Sequence, residues 1–165
     1  MEMAPGGPLR NKKLVTIAAS LVTLLALSGC SLNREVESLR PYAPSDGVQA
    51  DVGSLKSRNL MFIRNEDGKA VLIGSFFNGS QNDLMGSVQT FDANGAEVRF
   101  EFTVEPGGKY DLGYNGNPGL VMEISEPAGA MHNVFLSGGE DPFGVLVPVM
   151  DGTLAEYQPF VDELN

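Results

Sequence analysis

The sequence predicts an all-β protein built from seven to nine short strands. Two observations lead to this fold class: apolar residues alternate with polar ones at a period of two, and turn-forming residues interrupt the chain at short intervals. Apolar runs separate most of the 20 glycines, as expected of glycines in tight turns. A single β-sandwich of immunoglobulin-like or cupredoxin-like shape accounts for this pattern, and an up-and-down barrel is the main alternative.

The clearest strand pattern lies between residues 96 and 104. Four apolar residues alternate there with Glu, Arg and Thr: Val98, Phe100, Phe102 and Val104. A helix would scatter these four side chains around its circumference, whereas a strand places them on one face. The run follows Asn94-Gly95, a pair that tolerates the positive φ of a tight hairpin turn.

The remaining strands are predicted from similar runs and turns. Residues 65–68 form a second turn, between strands at 60–64 and 70–77. Because both faces of the 70–77 run are apolar, we expect a central strand there. Clusters of Gly, Pro, Asn or Asp bound five further predicted strands, at residues 85–91, 109–114, 120–126, 131–137 and 143–150. No long helical pattern follows residue 48.

The N-terminal residues have the pattern of a lipoprotein export signal. Three basic residues precede an apolar stretch of 14 residues, Leu14–Leu27, which is followed by the only cysteine of the chain. The segment Leu27-Ser28-Gly29-Cys30 matches a bacterial lipobox. The stretch is shorter than the roughly 20 residues of a membrane-spanning helix, so acyl chains on Cys30 would supply the anchor. An uncleaved signal anchor, or cleavage by the ordinary signal peptidase, is the alternative.

The predicted organisation therefore has three parts. Residues 1–29 are the signal peptide, residues 30–47 carry the lipidated Cys30 and an extended tether, and residues 48–165 form the β-sandwich with a C-terminal tail. The expected location is the extracytoplasmic face of a bacterial cell membrane, with the membrane contacted through lipid on Cys30.

The charge of the exported part limits the classes of partner that it can bind. Residues 1–29 contain three of the 11 basic and one of the 21 acidic residues, so their removal leaves 8 basic and 20 acidic residues and a formal charge of −12. Such a charge repels nucleic acid and anionic head groups and favours cations or basic protein surfaces. With Cys30 as the only cysteine, no internal disulfide is possible.

Several segments of the mature chain resemble a known group of lipoproteins. After the lipobox come Pro41–Gly47, Val52–Leu60, Pro106–Gly108 and Val147–Tyr157. In this order they resemble actinobacterial lipoproteins of the LpqE type, which are similar in turn to the periplasmic copper chaperones of the PCuAC family. The resemblance implies an actinobacterial cell, a cupredoxin-like sandwich, and a link to copper or to assembly of copper-containing respiratory oxidases.

Copper is the cofactor that this resemblance suggests, and the candidate ligands are few. The chaperone site uses two His and two Met, one pair as His-x-Met on a strand, because copper(I) prefers thioether sulfur and imidazole. The corresponding strand here reads Leu120-Val121-Met122 and lacks the imidazole. A degenerate site would consist of Met122, Met131 and His132. Core packing is the alternative role for Met122, since Met often fills gaps in a core.

A non-catalytic binding or accessory module is the leading hypothesis, and no catalytic residue is predicted. A small hydrolase would need His132 as the base with Ser125 or Ser137 as nucleophile, and neither serine lies in a nucleophile elbow. The expected partner is an envelope protein, with a respiratory cytochrome or oxidase complex implied by the resemblance. Near the C-terminus, Tyr157 and Phe160 either pack back on the sheet or form a partner-binding tail.

Overall fold

A computed structural model describes residues 45–165, which form nine strands and one short helix. The elements are β1 (Val48–Val52), β2 (Leu55–Arg64), β3 (Lys69–Asn78), β4 (Leu84–Phe91), β5 (Glu97–Val104), β6 (Lys109–Leu112), β7 (Leu120–Glu123), β8 (Met131–Ser137), β9 (Phe143–Met150) and α1 (Gln158–Leu164). The predicted all-β sandwich with seven to nine strands is confirmed. The predicted signal peptide, the lipobox with Cys30, and residues 30–44 of the predicted tether lie outside the described residues.

The strands form two layers that share β9. One layer has the antiparallel order β5-β4-β8-β9. In the other layer β1, β2 and β3 are antiparallel, and β6 and β7 both pair with β3. Strand β9 also runs parallel to β2, with Phe62 opposite Val149, and so nearly closes the sandwich into a barrel. This parallel pair and the non-sequential order distinguish the fold from an up-and-down barrel.

The main hydrophobic core lies between the two layers. It is built from inward-facing residues of both, including Phe62, Leu72, Phe76, Val88, Phe102, Val134 and Val147. The alternation predicted for residues 96–104 is confirmed, since Phe102 and Val104 are buried while Glu97 and Glu101 are exposed. The Phe102 ring lies over its cross-strand partner Gly86, where an added Cβ would come within 2.6 Å of the ring.

Strand β3 is central, as predicted, and both of its faces are buried from Ala70 to Gly74. It pairs with β2 along one edge and with β6 and β7 along the other. Its inner face joins the main core, and its outer face is covered by α1. A second hydrophobic cluster results, formed by Met61, Ile63, Val71, Ile73, Tyr157 and Leu164.

Both predicted hairpin turns are present, but two predicted strands end early. Gly68 and Gly95 adopt φ values of 97° and 79°, which a glycine accepts without strain. The strand predicted for residues 109–114 ends at Leu112, because Gly113 turns the chain at a φ of 81°. The strand predicted for residues 120–126 ends at Glu123, opposite Lys69, because Lys69 is the first residue of its partner β3. The Ile124 amide still donates to the carbonyl of Gly68 in the turn before β3.

Candidate functional site

His132, the only histidine of the chain, lies on β8 and points into the protein. Its side chain is 8% exposed, and its Nε2 lies 2.7 Å from Oγ1 of Thr90 on the neighbouring strand β4. The Thr90 hydroxyl donates to the Asn133 carbonyl at 2.8 Å. Because a hydroxyl has a single proton to donate, His132 Nε2 is the donor toward Thr90. The imidazole therefore joins β8 to β4 inside the sandwich.

The other side of the imidazole faces a carboxylate. His132 Nδ1 lies 2.9 Å from Oε2 of Glu126, without the in-line geometry of a hydrogen bond, and the ring meets Phe62 edge to face at 5.0 Å. Burial raises the pKa of Glu126, but its contacts with His132 and Ser125 outweigh this effect and hold the pKa below its ordinary value of 4.5. The β7–β8 loop is thus fastened to β8.

A hydroxyl, an imidazole and a carboxylate in this order resemble a hydrolytic triad in composition. Thr90, however, has no exposed surface, and its proton is directed at a backbone carbonyl, so a substrate has no access to the hydroxyl. Ser137 donates instead to the Glu140 carbonyl, and Ser125 donates to Glu126. Neither serine considered as a nucleophile contacts His132. The contacts among Thr90, His132 and Glu126 instead connect β4, β8 and the β7–β8 loop.

The three predicted copper ligands are not brought together. Met131 and His132 are consecutive residues of β8, and consecutive strand residues point to opposite faces. Accordingly Met131 is 45% exposed on the outside, whereas His132 is buried and Met122 belongs to the main core. Within residues 45–165 no group of three or more His, Cys, Asp or Glu side chains is placed to hold a metal ion.

The C-terminal aromatics pack back on the sheet. Tyr157 is buried in the second hydrophobic cluster, and its hydroxyl donates to Asp46 at 2.6 Å. Burial, followed by this hydrogen bond, raises the pKa of Tyr157 well above its ordinary value. Phe160 is half-buried and meets the Tyr114 ring edge to face at 5.5 Å. The last residues of the predicted tether are therefore fastened to the domain beside α1.

Apolar side chains are exposed on the outer face of the other layer. The strand register puts Leu146 opposite Asn133, Met131 opposite Pro148, and Phe135 between Gln89 and Gly144. Phe91 follows Gln89 by two residues on β4 and so shares its outer face. Phe91 is 41% and Leu146 55% exposed. We call this surface, formed by Phe91, Met131, Phe135, Leu146 and Pro148, the Phe91 face. Scattered exposed apolar residues are common in soluble domains, whereas a group of them on one sheet face favours an interaction site.

Sequence reasoning did not identify Thr90, Glu126 or the Phe91 face. Alternation along each strand would have placed Thr90 and His132 on the inner face, because their neighbours in the strand face outward. The Phe91 face joins residues from three strands that are distant in sequence, so only the pairing of β4, β8 and β9 reveals it.

Comparison with known proteins gave no relative: no protein-family model and no curated protein matches the chain. In the part of the chain that the structure describes, no helix has the length and apolar character needed to cross a membrane.

Proposed function

We propose that this protein is an exported lipoprotein whose β-sandwich acts as a non-catalytic accessory module at the outer side of the cytoplasmic membrane. Lipid on Cys30 would hold it there, and the sandwich would bind another envelope protein. The observation that carries the binding role is the Phe91 face, a group of apolar side chains on one sheet face of an acidic domain. The partner we propose is a respiratory cytochrome or oxidase complex, on the strength of the resemblance to LpqE-type lipoproteins.

Two further features support a binding role. The imidazole that could have served as a general base is buried against Thr90 and Glu126, and a buried hydroxyl cannot meet a substrate. The sandwich is also tied to the chain that leads to Cys30, because Asp46 accepts a hydrogen bond from Tyr157 and the Gly47 amide donates to Asn59. A domain that holds residues 46 and 47 in this way suits presentation on a tether.

The anchor is tested by replacing Cys30 in an actinobacterial host. The full chain and its Cys30→Ser variant are fed an alkyne fatty acid, and the cells are fractionated. We expect labelled wild-type protein in the membrane fraction, and unlabelled variant in the soluble or released fraction. Ser31→Ala is the matched control and should behave as the wild type. Equal membrane retention of the Cys30→Ser variant would overturn the anchor.

The accessory role is tested by affinity purification of the tagged full chain from detergent-solubilised membranes. A respiratory partner predicts recovery of haem absorbance and oxidase subunits in proportion to the tagged protein. Recovery of the lipoprotein alone, at several mild detergent conditions, would contradict this role.

A further inference from the structure

The Phe91 face lies in a strongly asymmetric electrostatic setting. The two hairpins that form it, β4–β5 and β8–β9, contain five carboxylates and one basic side chain between them. That side chain is Arg99, whose Nε is already paired with Glu101 Oε1 at 2.9 Å. Glu97 lies directly opposite Phe91 in the strand register, and Glu140 and Asp141 are exposed in the β8–β9 turn.

The basic side chains of the described residues lie elsewhere. Apart from Arg99, all of them are on β2, β3 and β6 of the opposite layer: Lys56, Arg58, Arg64, Lys69 and Lys109. An exposed phenylalanine is found there as well. Phe77 on β3 is 36% exposed and has Lys56 and Lys109 as its neighbours in the register. The two layers therefore present a similar aromatic side chain in surroundings of opposite charge.

We propose that the Phe91 face docks a protein surface whose apolar centre is surrounded by Lys and Arg side chains. The apolar side chains would exclude water at the centre of the contact, while Glu97 and the exposed Asp141 would meet the basic rim. This inference deepens the proposed function, on which it rests for the location of the partner in the cell envelope.

Charge complementarity selects this occupant over two others. A second copy of the chain docked face to face would bring two acidic rims together, and like charges across an interface are strongly unfavourable. An anionic lipid surface would be repelled for the same reason. A protein surface with Lys and Arg at its rim would instead make favourable contacts with these carboxylates.

The proposal is tested by site-specific photo-crosslinking of the full chain in the actinobacterial host. The photoreactive amino acid p-benzoylphenylalanine replaces Phe91 in one strain and Phe77 in the other, which is the matched control in residue type and exposure. We expect a discrete protein adduct from position 91 and none from position 77. Mass spectrometry of the adduct should locate the crosslink beside Lys or Arg residues of the partner.

Two second-site variants check the nature of the contact. Leu146→Asp should reduce the adduct at position 91 by at least about tenfold, as expected for loss of a central apolar contact. Glu97→Gln should weaken it less, and high salt should weaken it too, since raising ionic strength to about 1 M shortens the screening length to about 3 Å. Circular dichroism of the purified variants establishes that each remains folded.

Several outcomes would overturn the proposal. These are a homodimeric adduct, an adduct with lipid or with residues 30–44 of the same chain, equal crosslinking from positions 91 and 77, an adduct on an acidic surface, and the absence of any adduct. Fractionation of the same cells separates this result from the anchor. Membrane retention without an adduct rejects only the docking surface, whereas an adduct in the released fraction rejects only the anchor.

Discussion

The polar contacts around His132 show how a buried imidazole can serve the fold. Thr90 and Glu126 lie on opposite sides of the His132 ring, and the Thr90 hydroxyl donates its own hydrogen bond to a backbone carbonyl. Polar groups can be buried at low cost only when they have partners, so the three side chains depend on one another. Removing one of them should therefore make burial of the other two less favourable.

We predict that Thr90→Val destabilises the domain by about 1 to 3 kcal/mol, because it leaves the buried Nε2 without an acceptor while preserving side-chain shape. Urea unfolding of the wild type and the variant measures the difference. Thr103→Val on the exposed side of β5 removes a hydroxyl without this consequence and should change stability by less than about 0.5 kcal/mol. Equal effects at the two positions would show that the Thr90 contact is unimportant.

Among the elements, the short helix α1 covers an apolar face of the sheet. A helix of seven residues is too short to be stable by itself, so it depends on packing. Leu164 and the neighbouring Tyr157 cover Met61, Ile63, Val71 and Ile73 on the outer side of β2 and β3. The helix thus explains why both faces of β3 are apolar.

Truncating the helix contact should destabilise the domain. Leu164→Ala removes a side chain that is 4% exposed, and we expect a loss of about 2 kcal/mol, the low end for buried leucines because the site is near the chain terminus. Glu163→Ala, at the exposed neighbouring position, should be nearly neutral. Thermal unfolding of both variants measures these changes in stability. An unchanged transition for Leu164→Ala would mean that α1 is not held against the sheet.

For the molecule as a whole, lowering the pH should affect the stability of the fold in two opposing ways. Protonating exposed carboxylates relieves the repulsion of a chain with a formal charge of −10, whereas protonating Asp111 removes favourable contacts. Asp111 is buried and accepts hydrogen bonds from Ser75 and Asn115, with Lys109 Nζ at 2.9 Å. Burial raises the pKa of Asp111, but these partners outweigh it and hold the pKa below its ordinary value of 3.8.

The sign of this contribution follows from that lowered pKa. Because the unfolded chain binds the proton more readily, Asp111 stabilises the fold above pH 3.8, and its contribution is lost as pH falls through the lower folded value. We predict that Asp111→Asn costs about 1 to 3 kcal/mol near neutral pH and that the difference from wild type shrinks below pH 4. Urea unfolding across this range measures it, with the exposed Asp67→Asn as control. A pH-independent difference would contradict the assignment.

The strand count, the hairpin turns at residues 65–68 and 94–95, and the central position of β3 could all be predicted from the sequence. These features depend on local chemistry: glycine at positive φ, or alternation along one strand. The length of β7 could not be predicted, because this strand ends where its partner β3 begins, at Lys69, and that residue lies far away in the sequence.

The sequence by itself thus determined the all-β class and the acidity of the chain, since composition and periodicity are properties of the chain alone. Only the tertiary structure decided what His132, Met131 and Tyr157 contact. It placed His132 on Thr90 and Glu126, turned Met131 outward into the Phe91 face, and packed Tyr157 against the sheet. These outcomes depend on which strands become neighbours, and that choice is made by the burial of two separate cores rather than by any one segment.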